Sequence, residues 1–523
     1  MKKRYAQQTS VKMDGNDSLT TSFHSKKRKW GVKIITAVVA LALAIAVIPV
    51  LAGCNRQENL VDTLSHYRMA IVFCETDRAI DVTMTLDYRN NYDVELPNLV
   101  LQLHANAFRE GAKFSPVADH ERTYAFPSGI SYGGMTINSL AVNGNAATIN
   151  IAGEDQNELI VPFERPLMPT NRITIEIEFR VTIPNVRHRL GWHNDLVNLG
   201  NFFPIAAVWR NGEFATSTYS YMGDPFFSSV ANFEVCITKP ATLTAAMSGA
   251  TTRELLSGGR ARTQASINKA RDFAIVLGNF TVINKQVGDV DVRYYFHNDP
   301  ESERSLQAAV DSIVTFSDLF GAYPYATFST VQTAFLHGGM EYPALTMISD
   351  QLEGDYFREV IIHEAAHQWW YAVVGNCQVT ESWIDEGLAE LSTSLFFQLN
   401  PQYGITYESR MANALSTLSM YAQMFRQTPN FTTAMNRPLS SFSSSLEYVV
   451  IAYYKSKIMF DTVRAKIGDE AFFRALRNLY QDNKFGIINA ELVIAAFENA
   501  VNMQLASFFN SWIDGSIQVF GSN

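Results

Sequence analysis

The stretch His363-Glu364-Ala365-Ala366-His367, followed after eighteen residues by Glu386 within Trp383-Ile384-Asp385-Glu386-Gly387, decides how the rest of this chain is read. Residues four apart on an α-helix share a face, so both imidazoles can point at one ion while Glu364 stands beside them. Ahead of the pentad Phe357, Val360 and Ile361 recur at helical spacing, and Gly375 is placed to end that helix. A second apolar-periodic stretch, from about Thr380 to Asn400, carries Glu386 and is stopped by Pro401. Two helices joined by a short loop bring Glu386 back against the histidines. Three protein ligands leave a coordination position open, the pattern of a catalytic rather than a structural zinc site. Among 10 histidines an isolated pentad of this kind also fits an ordinary helical surface, so the reading rests on its flanks and on motifs elsewhere.

Those motifs are several. Gly338-Gly339-Met340-Glu341 lies upstream of the pentad, and Tyr448-x4-Tyr453-x-Lys455 lies downstream. Gly223-Asp224-Pro225-Phe226-Phe227, Phe320-Gly321-Ala322-Tyr323-Pro324 and Phe508-Phe509-x-x-Trp512 extend the series from the middle of the chain almost to its end. Taken in order, they resemble the gluzincin aminopeptidase family typified by aminopeptidase N. The resemblance covers most of the chain after about residue 60.

The resemblance implies one Zn2+ held by His363, His367 and Glu386, and a peptidase acting on peptides with a free N-terminus. Glu364 is implied as the general base, and later the acid that protonates the leaving amine; Tyr453 is implied as the hydroxyl that meets the developing oxyanion. Glu341 would bind the substrate's α-ammonium group near the metal and so fix where the chain is cut. Gly338, Gly339, Met340 and Tyr448 are implied to complete the substrate site. The run from Ala334 to Gly339 reads as a strand edge ending in glycines, where a peptide backbone can approach and pair. Tyr342 stands where the family usually has asparagine, which bears on side-chain preference at the first subsite. Asp385 also departs from the usual asparagine and receives no role. His337 reads as a local hydrogen-bonding residue, and Trp369-Trp370 as core packing beneath the metal. A thermolysin-like endopeptidase remains the alternative, and a catalytically silent binding relative is a third reading.

Residues 1–33 contain nine Lys or Arg and two Asp, and precede an uncharged run of twenty residues from Ile34 to Gly53, long enough to cross a bilayer as a helix. The run ends in Leu51-Ala52-Gly53-Cys54, which resembles the lipobox of bacterial lipoproteins, with Cys54 lipidated and everything before it removed. The expectation is a lipid-anchored protein on the extracytoplasmic face of a bacterial membrane. An uncleaved signal anchor of the same orientation and a plain secreted protein are the alternatives. Of 42 basic and 51 acidic residues, nine and two lie in the leader, so the remainder carries about 16 net negative charges. That balance excludes nucleic acid as an expected partner. Past Cys54 only Cys74, Cys236 and Cys377 remain, too few and too scattered for a disulfide framework.

The fold class expected is α+β. Residues 54–61 read as a linker. From 62 to 285, short alternating segments such as Ile173–Phe179 and Phe233–Thr238, separated by Gly, Asn and Pro turns, predict an antiparallel β-sandwich or saddle. Residues 286–523 predict a thermolysin-like, mainly helical domain, introduced by a strand over Val290–Phe296 and a helix over Leu306–Phe320. A Ser-rich loop from Ser440 to Ser445 precedes the tyrosine motif. The sequence stops soon after Trp512, where aminopeptidase N relatives usually continue, so a more open cleft is expected.

Overall fold

Alternation in the first half becomes strand. In the computed structural model, which describes residues 60–517, β1 (His66–Cys74) buries Tyr67, Met69, Ile71 and Phe73 while the residues between them face outward or lie half-buried. This is the period of two that a half-buried strand requires. β2 (Ala79–Arg89), β3 (Arg172–Thr182), β4 (Ala231–Pro240) and β5 (Arg260–Ala270) join it in an eight-stranded sheet, flanked by shorter strands at both edges. The sheet is antiparallel except at one place: β1 pairs with β4 in parallel register, His66 opposite Asn232. Alternation fixes which face a residue takes but is blind to strand direction, so the wholly antiparallel expectation needs that correction. Two four-stranded sheets and a two-stranded ribbon complete this part.

β6 (Thr281–Val287) and β7 (Val290–Phe296) form a hairpin and continue into a mixed five-stranded sheet with β8 (Thr327–Thr333), β9 (Gly339–Met340) and β10 (Leu345–Ser349), in the order β6-β7-β8-β10-β9. The glycine segment is therefore an edge strand. Its paired residues are Gly339 and Met340 rather than Ala334 to Gly338. Helix α1 (Ser302–Phe320) separates β7 from β8, and the helices that follow carry the metal motif. This α+β arrangement of mixed sheets followed by helices is the predicted fold class. Among the described residues, those from Thr63 onward form one compact unit.

Residues 1–53, Cys54 and most of the 54–61 linker lie outside the described residues. Among the described residues no helix is long and apolar enough to cross a membrane. Cys74, Cys236 and Cys377 are free thiols.

Candidate metal centre and active site

Helix α2 (Gly354–Ala366) and helix α4 (Trp383–Leu399), with the short α3 (Gln378–Glu381) before it, bring the motif together. α2 ends at the second histidine: His367 is its C-cap, and turns carry the chain on to Gly375. The expectation that Gly375 terminates this helix is thus corrected. A Cβ at Gly375 would fall 2.2 Å from the guanidinium carbon of Arg271, so its lack of a side chain admits that cation instead.

His363 Nε2 and His367 Nε2 lie 3.1 Å apart, and Glu386 Oε2 lies 3.4 Å from the first and 3.3 Å from the second. Glu386 Oε2 is buried and has no hydrogen-bond donor. Three lone-pair donors aimed at one point, one of them an orphaned buried oxygen, are what a divalent cation of the zinc class takes. The other ring nitrogens face acceptors from outside, within hydrogen-bond range for His367 and at ion-pair distance for His363. His367 Nδ1 is 3.1 Å from the carbonyl of Trp370, and His363 Nδ1 is 3.4 Å from Glu390 Oε1. Both contacts favour the tautomer that leaves Nε2 free for a metal. Burial lowers the His363 pKa, yet the carboxylates of Glu386 and Glu390 outweigh it and lift the group to about 9.

Glu364 stands beside this cluster with Oε2 buried and without a partner. Burial pushes its carboxyl up, and the carboxylates of Glu341 and Glu386 add to the effect. A Cβ on Gly339 would come within 2.4 Å of Glu364 Oε1, so the second glycine of the upstream motif is the space Glu364 occupies. The Tyr453 hydroxyl donates to Glu386 Oε1 at 2.5 Å, and its ring stacks on His363 with centroids 5.8 Å apart. Tyr448 meets Tyr453 edge-on at 5.6 Å. Gly338, Gly339, His363, Glu364, Tyr448 and Tyr453 all line one cavity of about 340 Å³.

Residues 304–512 match the Peptidase family M1 domain. They form a family M1 peptidase domain.

The M1 domain is accompanied by fold-level likeness across nearly the whole chain. A variant M1 zinc metallopeptidase from Deinococcus radiodurans, solved with a Tyr-Ser-Ala substrate, superposes with a TM-score of 0.61 over 88% of this chain and 95% of that one, at 17% identity. Among relatives by sequence, aminopeptidase N of Lactobacillus delbrueckii subsp. lactis is 25% identical over 233 residues, 42% of this chain and 27% of that protein. Human aminopeptidase B is 36% identical over 93 residues, 16% of this chain and 14% of that protein. The chain thus spans about a quarter or less of the length of these two. The resemblance to aminopeptidase N-like gluzincins read from the motifs stands.

Within the M1 domain Met340, one of the expected substrate residues, is placed differently. Met340 is fully buried and pairs with Met347 across the sheet edge, so its side chain enters the core while Gly339 before it faces Glu364. Tyr342 is also fully buried; its hydroxyl donates to Asn201 Oδ1 at 2.6 Å, away from the cavity. Glu341 is 3% exposed and accepts a 2.8 Å hydrogen bond from Gln378 Nε2. His337 packs edge-on against His188 and Phe335, a ring contact in place of the expected hydrogen bond. Trp369 and Trp370 are buried as expected, and Trp370 adds the carbonyl that orients His367.

The sequence reading missed Glu390, Gln378, Asn376 and Arg189. Glu390 also accepts from Lys457 Nζ at 2.7 Å and Arg410 at 3.0 Å. Burial alone would raise its pKa, but the two cations hold it well below the usual carboxylate range. Arg189 pairs with Asp224 at 2.8 Å, and both line the cavity.

Proposed function

We propose that this chain is a zinc aminopeptidase that removes residues from peptides with a free N-terminus. The observation that carries the reading is the convergence of His363 Nε2, His367 Nε2 and Glu386 Oε2 with an unpartnered Glu364 beside them. A zinc ion bound by those three would polarise the scissile carbonyl and lower the pKa of an attacking water. Glu364 takes the proton that the water gives up and returns it to the departing amine; its raised pKa suits a group that must both accept and donate near neutrality. Tyr453 donates its hydroxyl to the carbonyl oxygen as that atom gains charge, turning from Glu386 to do so. Glu341 holds the α-ammonium group and so measures one residue to the scissile bond. The names of the sequence relatives and the Tyr-Ser-Ala bound to the Deinococcus neighbour support a peptide substrate.

Aminoacyl fluorogenic substrates and their N-acetylated counterparts test this, each assayed with and without chelator. Chelator-sensitive cleavage of the free amines alone is expected. Equal turnover of acetylated substrates would make the enzyme an endopeptidase, and no turnover of either would favour the silent relative.

The proposal extends to a tether at the extracytoplasmic face of a bacterial membrane, through lipid on Cys54 or through an uncleaved anchor. The apolar run from Ile34 to Gly53 and the cysteine that follows it support this part. Fatty-acid labelling of wild type and Cys54→Ala separates the two routes: label lost in the variant supports lipidation, whereas an unlabelled, membrane-bound wild type supports the anchor.

A further inference from the structure

Gln378 is 1% exposed, and its single amide nitrogen donates two 2.8 Å hydrogen bonds, one to Glu341 Oε1 and one to Asp385 Oδ2. Turning the amide over would set its oxygen against both carboxylates, so the network fixes its orientation. Asp385 is as deeply buried as Gln378 and is anchored in turn by Asn376 Nδ2 at 2.9 Å, a nitrogen that also reaches the carbonyl of Glu381 at 3.1 Å. The chain of contacts therefore runs from Glu341, beside the sheet edge, through the first residue of α3 to Asp385 on α4. Asp385 immediately precedes the ligand Glu386, and the carboxylates of Glu341 and Asp385 lie within 4.8 Å of a His367 ring nitrogen.

We propose that Gln378 is a positioning residue for the free N-terminus of the substrate: with Asp385 it clamps Glu341 at a set distance from the metal ligands. This rests on the reading of Glu341 as the ammonium-binding carboxylate. A carboxylate on a flexible side chain beside a glycine edge has several rotamers, and only one keeps the register that makes cleavage stop after the first residue. An amide shared between that carboxylate and the ligand-bearing helix removes the alternatives without adding charge. The sequence hides this device, because Gln378 matches no motif and Asp385 looks like a mere departure from asparagine.

The test is Gln378→Met, which keeps the volume and deletes both donors, made alone and together with Glu341→Ala in zinc-loaded enzyme. Removing the hydrogen bond to the buried Glu341 carboxylate, along with the one to Asp385, is expected to raise KM for free-amine substrates about tenfold, with kcat changed far less. Zinc content should be unchanged, and calorimetry should show L-leucine binding metal-free protein more weakly. In the Glu341→Ala background the second change should add nothing, because the clamp acts only through Glu341. An equal added loss in both backgrounds would overturn the clamp in favour of a general packing role. Unchanged KM in Gln378→Met beside a raised KM in Glu341→Ala would overturn the clamp and leave the reading of Glu341 standing; no effect of Glu341→Ala would remove both. Should Gln378→Met fold poorly, Gln378→Asn draws the amide back by one methylene and should shift KM in the same direction, with unchanged KM counting against the clamp.

Discussion

Glu390 follows the ligand Glu386 by four residues on α4, and that spacing alone puts both carboxylates on one helix face. The sequence thus held the signal for a carboxylate behind His363, but not its consequence, because Lys457 and Arg410 reach it from distant helices. Their charges keep Glu390 ionised and able to fix the His363 tautomer. Replacing such an outer partner costs about 10–100-fold in metal affinity, so Glu390→Gln should weaken zinc binding by that order in a chelator competition. Unchanged affinity would show that His363 needs no orienting carboxylate. For Glu364→Gln the expectation is opposite in kind: zinc stoichiometry near that of wild type, with kcat lower by about 100-fold or more, since a positioned base contributes that much. Normal turnover in zinc-replete variant enzyme would remove Glu364 from its role. The convergence of His363, His367 and Glu386 was legible because their spacing states their geometry. Gln378 and Met340 were not, since the first acts through contacts made only in the fold and the second lies on a two-residue strand whose alternation cannot be counted.

At the scale of elements the tyrosine motif shows what spacing can conceal. Tyr448 and Tyr453 are five apart, an interval that an α-helix turns to different sides, yet both line the same cavity. The reason is a π-helical segment over Val449–Lys455, in which residues five apart share a side. Its end is pinned by Lys455, whose ammonium donates to the carbonyls of Thr433 and Trp512, both at 2.6 Å, and to Thr433 Oγ1 at 3.1 Å. Lys455→Met would orphan these buried acceptors at about 1–3 kcal/mol each, visible as a lower urea midpoint. It should also reduce kcat, because Tyr453 loses its support. A stability loss with unchanged kcat would show that the tyrosine holds its place without the pin. Strands were legible where apolar alternation marked them, as at Val290–Phe296, whose bounds match β7. β8 was not legible because it is buried along its whole length yet written largely in Thr, Ser and Gln; Thr333, for one, donates inside to Asn198 at 2.6 Å, while the Thr327 hydroxyl stays without a partner.

Across the whole molecule, the β-rich and helical parts are joined by buried polar groups that no periodicity reveals. Arg271 donates to the carbonyls of Tyr371 at 2.8 Å and Ser228 at 3.0 Å, and Asp272 accepts from Asn201 Nδ2 at 2.6 Å and from the Phe273 amide at 2.7 Å. Asn201 in turn receives the hydroxyl of Tyr342, so one hydrogen-bonded chain runs from the β-rich part to the segment carrying Glu341. Burial raises the Asp272 pKa from 3.8 to about 7, against the smaller opposing effect of the Phe273 amide. The folded state therefore binds more protons than the unfolded one between those values. The stabilisation from protonated Asp272 is complete below pH 3.8 and is lost as the pH rises through 7. Asp272→Asn stays neutral throughout, and the Asn201 amide can turn to meet it, because the Tyr342 hydroxyl accepts as well as donates. Urea midpoints at pH 5 and pH 8 should thus fall more for wild type than for the variant, the variant gaining relative stability on the alkaline side. Parallel behaviour across that range would mean that Asp272 is ionised in the folded protein at both pH values, with its hydrogen bonds offsetting the cost of burial.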